Sequence, residues 1–407
     1  MNENNKYLIL RTISMHGPCS RTRLCEYTKL SKMTISNIVN EYLRQGVVEE
    51  NGKAATAAGR KADLLRIVPD SLLALGIFVD RGYTEIGVVN LNGSVLRSDR
   101  FEISPAESVD DFLDILLHLS SKHMSGEWKG RIWGIGISAA GPLDAERGII
   151  LEPPGFHGLK NIPIVDVLYR AFGIPVYLEL GVHVAALSEL YYGNKEGYGN
   201  FLYMSVSNWI GGCVVSDRKV YQGASGLAGL MGGVVVERDD MDEKVPMSGC
   251  LQDYASLLAL VRWAREKGSD PDITWNKIVA RARHGEPFAC KAIDRLVRYL
   301  EIALINAIAF LDIQCVYVSG SILLGEELIL ERLEASINRL MFAPSTRHVA
   351  VLAAKYANDA EIIGITALVT ERHFEREMTL SARGYRPLLT ESVTAHCAGV
   401  WEAFNGE

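Results

Sequence analysis

Apolar positions in the first 68 residues recur at helical spacing in three short runs separated by polar starts. In the first, Leu8, Ile9 and Ile13 share a face, and "HGP" ends it. Ser20 stands where an N-cap for "RTRLCEYT" is expected, and Ser31 where one is expected for the third run. There Ile35, Ile38, Val39, Tyr42 and Leu43 form a buried stripe, with Lys32, Ser36, Asn37, Asn40 and Arg44 off it and Gly46 as the stop. The next stretch, "VVEENGKAATAAGRKADLLRIV", reads as a strand, a loop rich in Gly and Ala, and a return strand. Two short helices joined by three or four residues and followed by a hairpin predict a winged helix-turn-helix.

Beyond residue 70, strand and helix periods alternate. "LLALGIFV" and "TEIGVVNLNGSVL" predict a hairpin, "SVDDFLDILLHLSSKH" an amphipathic helix, and "RIWGIGIS" a buried strand. "IPIVDVLYRAFG" predicts a helix, "IPVYLEL" a strand and "HVAALSELYYG" another helix. "NFLYMSVS" and "GGCVVSDRKVYQG" precede a glycine-dense stretch. A long helical region then runs from "GCLQDYASLLALVRWAREKG" to "LINAIAFLD", and "CVYVSGSIL" is a closing strand. This order predicts an α/β body of two lobes with a cleft between them. The longest apolar run, "LEIALINAIAFLDIQCVYVSGSILLG", contains Glu301, Asn306 and Asp312, which a bilayer would tolerate poorly. It is read as a buried helix and strand, with no membrane partner.

A chain of 407 residues suggests two or three domains. The expected divisions are a DNA-binding domain over 1–68, a first lobe over 69–190, a second over 191–375, and an extension over 376–407 that carries Trp401 and Phe404. The net charge of −7 conceals a split. Residues 1–68 hold eleven Lys and Arg against six Asp and Glu, a balance of +5, while the remainder stands at −12. A basic segment ahead of an acidic body suits one part that meets a polyanion and one that does not. Seven cysteines scattered without a C-x-x-C pair argue against a disulfide framework or a finger-type zinc site and fit a reducing cytoplasm. The start "MNENNKYLIL" lacks the pattern of a signal peptide.

The DNA-binding reading has a chemical basis. A helix entering a major groove about 12 Å wide needs short or flexible donors and acceptors on its leading face, with no bulky apolar group. "SKMTISN" supplies them, so Ser31, Lys32, Thr34, Ser36 and Asn37 are expected at base edges or phosphates. Arg21 and Arg23 are expected on the phosphate backbone, and Arg60 with Lys61, at the base of the wing, in a narrow minor groove. The turn between the second and third helices offers Lys29 where glycine would relieve a positive φ, which predicts a strained or differently shaped turn. A helical hairpin docking on another protein is the competing account of the same pattern.

Five segments in order, "GIGISAAGPLDAERGIILEPPGFHGLKNIPIVDVL", "GIPVYLELGVHVAALSELYYG", "VYQGASGLAGLMGGVVV", "GCLQDYAS" and "NDAEIIGITAL", resemble the ROK family of sugar kinases and sugar-responsive repressors. The resemblance runs to about residue 375 and implies an actin-like ATPase fold behind the winged helix-turn-helix, the layout of the repressor branch. It also implies chemistry that has been lost. The strand matching "VYLEL" ends in the kinases in Glu-Asn-Asp, whose Asp is the general base; here Glu179 is followed by Leu180 and Gly181, and glycine accepts no proton. His183 follows two positions later and is read as the structural partner of a nearby carbonyl.

The first phosphate loop resembles "IFVDRGYTEI", with Phe78 at the usual acidic position, and the second reads Ser207, Asn208, Trp209, Ile210, Gly211 in place of a glycine-rich run. "VSGSIL" keeps only Gly320 of a third glycine pair. The sugar- and zinc-binding Glu-Ile-Gly-His run aligns with Leu230, Met231, Gly232 and Gly233. The cysteine cluster is reduced to Cys250, with Glu243 and Val245 in place of the other thiols, and a following glutamate is Gln252. One thiol cannot hold a tetrahedral zinc ion.

These readings converge on a cytoplasmic transcriptional repressor of carbohydrate-related genes, a homodimer or homotetramer, with double-stranded DNA as partner and no catalytic residue, metal or cofactor. Glu152, His157, Glu179 and His183 are the polar residues that the resemblance places along the cleft, and they are the candidates for a sugar or other small polar effector. Two alternatives stay open: an ATP-dependent sugar kinase with an added DNA-binding domain, and a protein-interaction module tethered to DNA.

Overall fold

A computed structural model describes residues 3–54, 62–104, 108–238 and 248–379. The N-terminal module is built from α1 (Glu3–His16), β1 (Cys19–Ser20), α2 (Arg21–Thr28), α3 (Lys32–Gln45), β2 (Val48–Ala54) and β3 (Ala62–Ile67). Both expected caps form: Ser20 accepts from the Arg23 N–H and Ser31 from the Thr34 N–H. Gly46 ends α3 at φ 70°. The turn between α2 and α3 keeps the ordinary left-handed shape, because Lys29 itself adopts φ 60° and donates its N–H to the Cys25 carbonyl at 2.9 Å. Of the two expected outcomes, strain is the one seen, at a cost of about 1 to 2 kcal/mol for a residue with a Cβ. Ile9, Ile13, Leu24, Ile35, Ile38 and Val39 are closed to solvent and pack with Leu65 of the hairpin. This core continues into the body through Leu91 and Trp133.

Among the described residues, the first compact unit takes in those up to 192 and 361–379. Its larger sheet uses β4 (Leu73–Val79), β5 (Tyr83–Asn90) and β6 (Val95–Glu102) as an antiparallel meander. Helix α4 (Val109–Met124) leads to β7 (Ile132–Ala139), which pairs parallel to β4. A small hairpin of β8 (Leu143–Asp144) and β9 (Ile149–Ile150) and helix α5 (Ile164–Phe172) precede β10 (Val176–Leu180), parallel to β7. The order is β10-β7-β4-β5-β6. Helix α6 (Gly181–Ser188) follows β10 directly and ends in a widened π turn over Glu189–Gly193.

The second unit, 193–360, repeats the plan. Strands β11 (Phe201–Val206), β12 (Ile210–Ser216) and β13 (Lys219–Val220) form the meander. The long helical region divides into α7 (Leu251–Ala255), α8 (Leu257–Lys267), α9 (Trp275–Arg283) and α10 (Pro287–Leu311), with Ser256 and Thr274 capping α8 and α9. Strand β14 (Cys315–Ser319) lies parallel to β11; α11 (Glu326–Leu340) leads to β15 (Ala350–Ala353), parallel to β14. The order β13-β12-β11-β14-β15 has the same logic as the first sheet: a meander on one side of the first strand, parallel crossovers on the other.

One boundary differs from expectation. Helix α12 (Ala360–Thr379), assigned from sequence to the second lobe, packs on the first sheet. Small residues in the central strands admit it: a Cβ on Gly76 would lie 2.9 Å from Ile362, and one on Gly136 2.7 Å from Ile365. Most of the extension at 376–407, with Trp401 and Phe404, lies outside the described residues. No helix among the described residues is long and apolar enough to cross a membrane.

Candidate nucleic-acid interface and effector site

The leading end of α3 is laid out by its cap. Ser31 Oγ accepts from the Thr34 N–H at 3.1 Å and lies 2.9 Å from Thr34 Oγ1, so these two hydroxyls first of all start the helix. Lys32 and Asn37 are exposed and Ser36 is half-buried. Among the described residues neither Lys32 nor Asn37 meets a hydrogen-bond or ion-pair partner. Met33, between Lys32 and Thr34, is 76% exposed. The face expected to carry no bulky apolar group thus carries one.

The arginines of α2 differ. Arg21 donates to Asn40 Oδ1 at 3.0 Å and stands 3.9 Å from Glu50, which partly neutralises it. Arg23 is exposed, its guanidinium 5.9 Å from the Tyr27 ring, and Tyr27 in turn stacks on His16 at 4.4 Å. In the hairpin β2 and β3 pair antiparallel with an irregularity between Glu50 and Lys53, and Glu49 is hydrogen-bonded to Arg66. Arg60 and Lys61 lie outside the described residues.

In the body, the structure joins two of the four effector candidates. Glu179, at the end of β10, and His183, in the first turn of α6, are 3% and 0% exposed. Glu179 Oε1 meets His183 Nδ1 at 3.0 Å and accepts from the Leu180 N–H at 3.1 Å, while Oε2 accepts from Arg372 at 2.7 Å. At Nδ1, His183 is thus partnered by a carboxylate. Burial alone would raise the Glu179 pKa; the bond and charge of His183 and then Arg372 outweigh it and hold the group below its usual value. Glu152 and His157 are exposed instead, on the segment after β9, where His157 adopts φ 53° and Arg81 donates to the Pro154 carbonyl at 2.8 Å.

At Gly181 there is room for a side chain: a Cβ would lie 3.5 Å from Ser138 Oγ and 3.8 Å from Glu361 Cγ, both ordinary contacts. The backbone at this position would accept a Cβ without crowding. Phe78 is buried in β4 against Tyr83, ring centroids 5.6 Å apart. In the second unit Gln252 ties down the turn between β11 and β12, accepting from the Ile210 N–H at 2.8 Å and donating to the Asn208 carbonyl at 3.0 Å. Cys250 is buried, its Sγ 3.1 Å from the Gly233 carbonyl oxygen, and burial followed by Asp253 pushes the thiol pKa up. Among the described residues no three His, Cys, Asp or Glu side chains gather as a metal site, and Glu243 and Val245 lie outside them.

Residues 74–372 match the ROK family. The chain belongs to the ROK family. The xylose repressor of Caldicellulosiruptor bescii is 27% identical to this ROK chain over 379 residues, covering 90% of it and 95% of the relative. The xylose repressor of Bacillus subtilis is 25% identical, with 92% and 97% covered. The glucokinase of Thermotoga maritima is 26% identical but accounts for only 73% of this chain while 97% of it is covered. Among solved structures, a ROK family transcriptional regulator described as a homologue of the E. coli MLC protein superposes with a TM-score of 0.77 at 23% identity, over 93% of this chain and 98% of that one. The family match begins at residue 74, and the repressor alignments take in 90 and 92% of this chain against 73% for the glucokinase.

Proposed function

We propose that this ROK protein is a sequence-specific DNA-binding repressor of sugar-related genes whose body senses a sugar and does not phosphorylate one. The observation that carries the reading is the leading end of α3, where Lys32, Met33 and Asn37 face outward on a capped, rigidly cored helix. Polar donors there suit base edges and phosphates, and the Met33 thioether suits a thymine methyl. Similarity to the xylose repressors over about nine-tenths of the chain supports both the DNA partner and an aldose as effector. A glycine at position 181 and a Gln252-tied turn at 208–210 support a body without phosphoryl transfer. Two copies acting on half-sites about one helical turn apart fit the winged helix-turn-helix, which makes a homodimer or homotetramer the working unit in the cytoplasm.

The test uses the full chain and a duplex selected by it from a random pool. Specific retention in a gel shift, weakened by D-xylose or another aldose, is the expected result. Steady ADP release in a coupled assay with ATP and the same sugars would overturn the non-enzymatic reading. Indifference to every duplex in the pool would overturn the repressor reading.

A further inference from the structure

Two neighbouring residues of α12 enter two different polar clusters, each partly buried. Arg372 donates to Glu179, which is paired with His183. One position earlier, Glu371 Oε1 accepts from the hydroxyls of Tyr7 and Tyr191, each at 2.7 Å. The two phenol oxygens also contact each other, and the Arg11 guanidinium lies 6.0 Å from the Tyr7 ring centroid and 5.3 Å from that of Tyr191. Tyr7 and Arg11 belong to α1 of the DNA-binding module; Tyr191 lies in the π turn that ends α6, the helix whose first turn carries His183. Burial, then the Glu371 charge, raises the pKa of both phenols, so they remain donors to the carboxylate.

The two body helices are locked together. A Cβ on Gly364 would lie 2.0 Å from the Val184 carbonyl oxygen, so α12 and α6 touch backbone to backbone. A displacement at the Glu179 end is therefore passed on as a shift of the pair and is not absorbed by loose side chains.

We propose that the Glu371–Arg372 step of α12 transmits the state of the effector site to α1, and through α1 sets the pose of the DNA-reading helix. This rests on the reading of the body as a sugar sensor. A polyhydroxylated ligand that draws on Glu179 or His183 competes with Arg372 for the same carboxylate. Moving Arg372 moves the helical turn that also holds Glu371. Glu371 anchors one phenol from the module and one from the body, and hydrogen bonds weaken steeply with misalignment, so a small shift breaks this junction instead of stretching it. The junction is the two-state element that coupling between distant sites requires.

A double-mutant cycle on the full chain tests the link without any sugar. Tyr7→Phe keeps the ring and removes the hydroxyl; Glu179→Gln keeps the shape and removes the charge. Affinity for a duplex selected by the wild type is read by fluorescence anisotropy. Glu179→Gln is expected to change it roughly fivefold or more in the wild-type background and less than about twofold when residue 7 is Phe, the size of an ordinary allosteric coupling. Equal fold-changes in the two backgrounds would overturn the proposal. Should either variant fail to fold, as its melting curve will reveal, the same cycle is run with Tyr191→Phe and Arg372→Lys and judged by the same criterion. In a separate arm D-xylose and D-glucose are added to the wild type. If neither shifts duplex affinity or melting temperature, the sensor reading falls, while the cycle still decides whether the two clusters communicate.

Discussion

Replacing Lys32 and Asn37 by Ala, one at a time, tests the proposed DNA-reading face separately from the fold. Both side chains are exposed, and among the described residues neither meets a hydrogen-bond or ion-pair partner, so nothing inside the chain is lost with them. Surface changes of this kind alter stability by about ±0.5 kcal/mol, and Ala in a helix tends to help. Affinity should respond very differently. A side chain that reads a base through two hydrogen bonds contributes about 1 to 3 kcal/mol, so its loss weakens specific binding roughly 5- to 150-fold. A side chain that only neutralises a phosphate weakens all duplexes alike and lowers the slope of log affinity against log salt by about 0.9. Anisotropy titrations of a selected duplex and a scrambled one, at salt from about 50 to 200 mM, separate these roles. Arg21 provides an internal scale: it is already engaged by Asn40 at 3.0 Å and faced by Glu50 at 3.9 Å, so Arg21→Ala should cost less than Lys32→Ala. Wild-type affinity in both variants at every salt concentration would refute the assignment, as would a fall in melting temperature that tracks the fall in affinity.

Met33 predicts a dependence on thymine methyls. Removing one 5-methyl from the selected duplex by a dT to dU change should cost about 0.8 kcal/mol, roughly fourfold, at the position it touches, and nothing further in Met33→Ala; equal losses in both proteins at every thymine would sink the idea. Glu179 predicts an acid limb. Its pKa is lowered in the folded state, so its contribution to stability is present above the ordinary value of 4.5 and lost as pH falls through the lowered one. Thermal melts below that value should therefore fall more steeply for the wild type than for Glu179→Gln, and parallel limbs would count against the pairing.

The local features of the module were readable because the residues that decide them are close in sequence. Ser31 caps a helix whose buried stripe begins four residues later, and Gly46 stops it. The sheets were readable for a related reason: β4 and β14 are continuous buried runs, and β7 is one but for half-buried Trp133. Strand β15 is four residues long and only half-buried, so no pattern announced it. The clusters around Glu179 and Glu371 were out of reach, because Arg372 pairs with a carboxylate 193 positions away and Tyr7 with one 364 away. A Glu and a His four apart hint at a pair; nothing in the spacing says that a third group from the end of the chain completes it. Met33 was missed for a different reason, since the leading face was expected to carry no bulky apolar group.

The return of α12 to the first sheet also bears on how the protein is made. Strands β4 and β7 leave the ribosome some 230 to 300 residues before Ile365 and Val369, whose side chains fill the space over Gly76, Gly134 and Gly136. At about 5 to 20 residues per second that is an interval of roughly 12 to 60 s. The N-terminal module emerges first, and the sheet that its core joins through Leu91 and Trp133 stays unfinished until translation is nearly over. A transcript truncated before α12 would thus yield a module able to fold beside a sheet with one face uncovered, and such products are natural clients for chaperones and proteases.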